Sequence, residues 1–151
     1  MEEISFAKNF LKLSEMKLTE NFTLEEMVNS TTAQIKNIDN TPDGESLMNL
    51  QRLCSDILQP IRDRYGKPIR VTSGYRSEEL NRTIRGASTS QHRKGEAADI
   101  VGEDNKELWR LICKLIYDGI IKVGQLIDEK NLKWIHISLP DTLHKNQILH
   151  L

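Results

Sequence analysis

The segment Ser88-Thr89-Ser90-Gln91-His92-Arg93-Lys94-Gly95-Glu96-Ala97-Ala98-Asp99 holds a histidine and an aspartate seven positions apart, separated by a glycine and small residues. Far downstream, Lys133-Trp134-Ile135-His136-Ile137-Ser138-Leu139 sets a second histidine in the middle of an apolar, β-branched run, the pattern of a core strand. Imidazole and carboxylate are ligands that zinc prefers. Two histidines and one aspartate make a three-ligand set with an open fourth position, which is the catalytic arrangement rather than the closed structural one. For His92, Asp99 and His136 to serve together, the fold must bring the earlier loop against the later strand. Gly95 lets the backbone bend between the first two, and Ala97 and Ala98 leave room for close packing.

A chain of 151 residues is expected to form one domain with a real core. The net charge of −1 and the lack of a basic tract argue against nucleic acid as a partner. Cys54 and Cys113 lie far apart in apolar helical patterns, and buried free thiols are expected of both. Met1-Glu2-Glu3-Ile4-Ser5-Phe6 lacks the apolar core of a secretory signal, and no apolar run reaches the ~18 residues of a membrane span. No integral membrane contact is expected, and the protein is expected to be cytoplasmic as synthesised.

Residues 1–20 read as a polar lead-in, and residues 21–151 as a single domain. Thr23-Leu24-Glu25-Glu26 matches a capping box behind Phe22, predicting a short helix to about Asn29. Ser30 to Ala33 and the breaker cluster Asn40-Thr41-Pro42-Asp43-Gly44 then read as loop. Leu47, Leu50, Leu53, Cys54, Ile57, Leu58, Ile61 and Tyr65 form one stripe of a long helix that ends at Gly66, with a kink expected at Pro60. Ile69 to Tyr75 reads as a strand, Ser77 as the cap of a helix ending near Gly86, and Ala97 to Val101 as a strand carrying Asp99. Asn105 to Asp118 reads as a helix. Ile120 to Asp128 and Trp134 to Leu139 read as the two strands of a hairpin, and Pro140 onward as a tail. The order predicts an α+β domain with a small, mostly antiparallel sheet packed with helices.

Hydrolysis of an amide at such a metal needs two further groups, a base and a cation. Arg76 follows a strand in the turn Ser73-Gly74-Tyr75-Arg76-Ser77, and its fork suits a carboxylate or an oxyanion. For the base, strand alternation puts Gln125, Ile127 and Glu129 on one face and Leu126 and Asp128 on the other. Glu129, across the hairpin from the His136 strand, ranks ahead of Asp128. Ser90 and Gln91, beside His92, are candidates for substrate binding, and Trp134 is a core residue or a pocket wall. His144 and His150 are expected to be exposed.

Ser90-Gln91-His92-Arg93-Lys94-Gly95-Glu96-Ala97-Ala98-Asp99 resembles the S-x-H-x-x-G-x-A-x-D signature of zinc D-Ala-D-Ala carboxypeptidases and related peptidoglycan peptidases, which share a fold with the hedgehog signalling domain. Ser73 to Ser77, Asn81 and Trp134 to Ser138 fit the same group in the same order, and Phe22 to Glu26 with Gln51 to Gly66 look like its short bacterial and phage-type members. The resemblance implies that His92, Asp99 and His136 bind Zn2+. It also implies that Arg76 holds the substrate or transition state, and that the substrate is a peptidoglycan stem peptide or precursor containing D-amino acids, acted on by a monomer. Many members carry the catalytic acid three residues before the last histidine, where this chain has Lys133; Glu129 resembles the acid of the short members.

Two alternatives stand beside the peptidase. One is a non-catalytic module of the same fold that binds a cell-wall peptide or a protein partner, with Lys133 pairing the acid. The other is a closed structural zinc site with His144 as fourth ligand. A substrate outside the membrane would be reached by release to the cell wall, as in phage-type lysis, and a precursor could be met in the cytoplasm.

Overall fold

The computed structural model describes residues 15–151, and the first fourteen residues of the expected lead-in lie outside it. Within the described part, β1 (Lys17–Thr19) pairs with β2 (Phe22–Thr23) in a small antiparallel ribbon, and Leu18 and Phe22 are buried there. Helix α1 (Leu24–Val28) starts as the capping box predicts, with the Thr23 hydroxyl accepting from the Glu26 amide at 3.2 Å. The stretch expected as loop after it contains a second short helix, α2 (Thr31–Ile35), capped by the Ser30 hydroxyl on the Ala33 amide. Its composition, two threonines in five residues, hid it from a reading by apolar period.

The long apolar stripe forms a continuous helical rod of three parts: α3 (Gly44–Leu53), a π-helical turn (Cys54–Leu58) and α4 (Gln59–Tyr65). Leu50, Leu53, Cys54, Ile57, Leu58 and Ile61 are wholly buried along it. In place of a simple kink at Pro60, the helix widens just before it, and the Gln59 amide donates to the Cys54 carbonyl. A proline has no N–H and its ring crowds the carbonyl four residues back, and one wide turn relieves both. Gly66, at φ 70, closes the rod in the left-handed conformation that glycine adopts without strain.

The chain then runs through β3 (Arg70–Ser73), α5 (Glu78–Thr83), a 3-10 turn (Gln91–Lys94), β4 (Ala97–Val101), α6 (Asn105–Tyr117), β5 (Gln125–Glu129), β6 (Trp134–Ser138) and β7 (Gln147–His150). The strands form one five-stranded sheet in the order β3-β4-β6-β5-β7. All pairings are antiparallel except β5 with β7, so the α+β architecture is as expected, with one parallel edge. Two expectations are corrected. The strand predicted from Ile120 starts only at Gln125; Ile121 and Val123 are buried without joining the sheet. The tail after Pro140 supplies the edge strand β7, a short and largely exposed segment whose pairing partner lies some twenty residues earlier, which no local pattern reveals.

Alternation along the strands divides the sheet into two faces. Ala98, Ile100, Leu126, Ile135 and Ile137 belong to the main core with the helical rod and with Leu108, Ile112 and Leu115 of α6. The other face carries Ala97 and Asp99 on β4, Trp134, His136 and Ser138 on β6, and Ile127 and Glu129 on β5. Among the described residues no helix is long and apolar enough to cross a membrane.

Candidate metal centre

The sheet register sets Asp99 directly opposite His136, on neighbouring strands. His92 reaches them from the 3-10 turn, whose start is capped by the Ser90 hydroxyl on the His92 amide at 3.3 Å. Gly95 ends that turn at φ 73, and a Cβ there would overlap the Ser46 carbonyl, so the tight reversal between His92 and Asp99 depends on glycine. Ligand atoms of His92, Asp99 and His136 all lie within 4.8 Å of one another.

The two imidazoles meet one oxygen of Asp99. His136 Nδ1 is 3.0 Å and His92 Nε2 is 3.4 Å from Oδ1. Zinc–ligand bonds of about 2.0–2.1 Å in a tetrahedron put donor atoms about 3.3–3.4 Å apart, so these separations suit a shared cation. His92 Nδ1 stands 2.7 Å from the carbonyl oxygen of Gly74. A carbonyl can only accept, so Nδ1 carries the proton and Nε2 presents its lone pair to the group. Burial holds the His92 imidazole below its ordinary pKa, against the pull of Asp99, and so keeps it neutral as a ligand must be. Burial acts to raise the Asp99 carboxyl, but the close approach of the His136 and His92 rings outweighs it, and the group sits well below the usual carboxylate range. The donor set therefore fits a divalent ion such as zinc.

Arg76 lies against the other oxygen of Asp99, with Nη2 3.6 Å from Oδ2. Its Nε donates to the Ser73 hydroxyl at 3.1 Å and its Nη1 to Asn81 Oδ1 at 3.4 Å. A guanidinium has five N–H groups, and two donate here while Nη2 faces Asp99 as an ion pair, so each terminal nitrogen keeps at least one N–H for a further acceptor. Burial pulls the guanidinium pKa down and Asp99 pushes it back up, but arginine remains charged at any ordinary pH. The backbone around it is clamped. The Tyr75 amide donates to Met27 O at 2.7 Å and the Arg76 amide to His92 O at 3.0 Å. A Cβ at Gly74 would overlap the Met27 carbonyl.

One contributor to this clamp is not legible in the sequence. Asn40, in the breaker cluster, accepts from the Ser77 amide at 2.7 Å and donates to Tyr75 O at 3.1 Å and Val28 O at 2.8 Å. It grips the residues on both sides of Arg76. Asparagine in a loop is so common that nothing marks this one out before the chain is folded.

The other candidates are dispersed. Glu129 shares the face of His136 and pairs with Trp134, one diagonal step from the histidine. Asp128 points to the opposite face, where its carboxylate accepts from the Leu132 amide at 2.6 Å and stands 3.1 Å from His150 Nδ1. Lys133 is exposed, and among the described residues it enters no ion pair. Gln91 spends its amide nitrogen within the fold, on Glu96 and on the Leu139 carbonyl, while its Oε1 is buried without a partner. His144 is half-buried rather than exposed because Asp141 holds its ring at 3.1 Å, and it stands outside the metal-binding group. His150 is exposed, as expected, with its ring 5.4 Å from that of Trp109.

Comparison with known proteins adds one finding. No curated protein matches the chain. A model of the family described as peptidase M15 matches residues 20–138, a span that contains every side chain of the His92–Asp99–His136 group together with Arg76 and Glu129. With that span covering most of its length, the chain belongs to the peptidase M15 family, the family its motifs resemble.

Proposed function

We propose that the protein is a zinc-dependent peptidase that hydrolyses peptidoglycan peptides containing D-amino acids. The observation that carries this reading is the convergence of His92, Asp99 and His136, with Arg76 against the free oxygen of Asp99, in a chain of the M15 family. Zinc, when bound, supplies a Lewis acid that polarises a carbonyl and acidifies water. His92, Asp99 and His136 would hold the ion, the imidazoles through ring nitrogens and Asp99 through its carboxylate, which would balance part of the charge. Arg76 turns its remaining N–H groups to the substrate, where they stabilise the oxyanion that develops on the attacked carbonyl or anchor a carboxylate. Glu129 takes the proton from the attacking water and passes it to the leaving amine. Its place on the face of His136 supports this role over Asp128, whose carboxylate serves the turn and β7. Ser90 and Gln91 act through the loop that carries His92, Ser90 by capping it and Gln91 by tying it to Glu96 and Leu139, and Trp134, on the face of His136, is the substrate-contacting residue.

The second reading, a binding module without turnover, draws on Lys133 standing where many relatives carry the acid. One experiment separates the two. Zinc-loaded protein is incubated with muropeptides and the products are weighed, alongside Glu129→Gln. The peptidase reading expects defined products, with Glu129→Gln keeping its zinc and losing roughly 10²–10⁴-fold in rate. Muropeptides bound but left intact by the wild type would leave the module, and undiminished turnover in Glu129→Gln would remove Glu129 as the base.

A further inference from the structure

A cleft of about 250 Å³ opens beside Arg76. Its walls come from the start of α2, from β3 and from α5, and its lining includes Ser30, Thr31, Thr32 and Thr72 on one side and Leu80 and Ile84 on the other. Arg76 is the one charged residue among those that line it, and its guanidinium reaches Asp99, so the cleft lies one residue away from the His92–Asp99–His136 group. β3 is the edge strand of the five-stranded sheet opposite β7. Its neighbouring amides are already taken, Val71 by Glu26 Oε1 at 3.3 Å and Tyr75 by the Met27 carbonyl, and Thr72 and Ser73 between them face the cleft. Ile84 is 41% exposed although apolar. Ser30 Oγ accepts from the Ala33 amide, which leaves its hydroxyl proton free to donate.

From this we infer that the cleft is the arm of the substrate groove that takes an extended stretch of the peptide without basic side chains next to the scissile bond, with Thr31, Thr32 and Ile84 as specificity-determining residues. The inference rests on the peptidase reading and deepens it. Hydroxyls suit the N–H and C=O groups of an extended backbone, and the Leu80–Ile84 wall suits a small apolar side chain. With no charge in the lining except Arg76, a cationic side chain would be desolvated there beside a like charge and without a partner. A larger cleft of about 650 Å³ beyond Ser90 and Gln91 is lined by Arg93, Lys94, Glu96 and Asp141, but by no residue that contacts Asp99. It is the competing place for the same stretch of substrate.

The test pairs binding with kinetics, using muropeptides from purified peptidoglycan as the probe. Amide resonances of zinc-loaded Glu129→Gln are followed on titration. The variants Ile84→Glu and Thr32→Val are compared with the wild type for zinc content, thermal midpoint, KM and kcat. The inference expects resonances of Thr31, Thr32 and Ile84 to shift. It expects Ile84→Glu to raise KM about tenfold and Thr32→Val a few-fold, with kcat, zinc content and thermal midpoint little changed. Hydrolysis by the wild type with an unaltered KM in both variants overturns the inference and leaves the peptidase reading standing. Shifts at Thr31, Thr32 and Ile84 without hydrolysis would keep the binding arm and remove the peptidase reading. Shifts confined to Ser88–Lys94 and Asp141–His144, or no binding at all, overturn the inference.

Discussion

The side chain of Asn40 accepts a hydrogen bond from the backbone amide of Ser77 at 2.7 Å, across 37 residues of chain. The same side chain donates to the carbonyls of Val28 and Tyr75. Three segments are thereby tied together around the residue that contacts Asp99, and Asn40 holds the backbone on both sides of Arg76. Asn40→Ala is expected to lower kcat/KM by about 10- to 100-fold, since misplacement of a positioning group by about 1 Å costs on that order. Stability should fall by about 1–3 kcal/mol for the lost hydrogen bonds. Zinc content measured by atomic absorption should not change. Wild-type kcat/KM in a folded Asn40→Ala would remove the positioning role.

A metal that binds the folded chain and not the unfolded one stabilises it by mass action. At free zinc about 100 times the dissociation constant, the gain is about 2.7 kcal/mol, and a chelator should abolish it. His92→Ala, Asp99→Ala and His136→Ala should each lose the zinc-dependent rise in thermal midpoint. A rise that survives all three substitutions would locate the ion elsewhere.

Cys54 lies wholly inside the helical rod, and burial, with a smaller push from Glu26, lifts its thiol to about 12. The thiolate is the reactive form. Cys54 should therefore resist a thiol reagent at neutral pH until the protein unfolds, while half-buried Cys113 reacts slowly in the native state. Counting modified thiols by mass with and without denaturant checks this; rapid native labelling of Cys54 would contradict its burial.

Glu26 is raised in pKa by burial, which the amides of Val71 and Thr23 offset only in part. The folded chain therefore holds this proton more tightly than the unfolded one, so ionised Glu26 works against folding above its folded pKa. That penalty disappears as pH falls toward the ordinary glutamate range. Glu26→Gln keeps an acceptor for Val71 and has no charge to desolvate. It should be at least as stable as the wild type at pH 7, with the advantage fading in acid. Urea unfolding at pH 7 and pH 4 measures this, and an advantage that grows in acid would reverse the assigned sign.

The His92–Asp99–His136 group was legible because its chemistry is local: His92 and Asp99 bracket a glycine turn, and His136 interrupts a strand pattern that any apolar alternation exposes. The helical rod was legible for the same reason, through a stripe at helical period. Helix α2 and strand β7 were not, since both are short and polar and owe their form to partners distant in the chain. Between Glu129 and Asp128, alternation showed that they face opposite ways. Only the folded chain showed what occupies Asp128, because Leu132 and His150 reach it through the turn and the parallel pairing of β7.

What the sequence determined by itself was the inventory of donors and the elements that carry them, for periodicity and turn chemistry act over a few residues. The tertiary structure decided how they meet. Register across β4 and β6 puts Asp99 opposite His136, and the Gly74 carbonyl selects the ring nitrogen that His92 offers. Asn40 ties down the backbone on both sides of Arg76. Each of these depends on hydrogen bonds between segments far apart in the chain, whose geometry exists only once the core has closed around them.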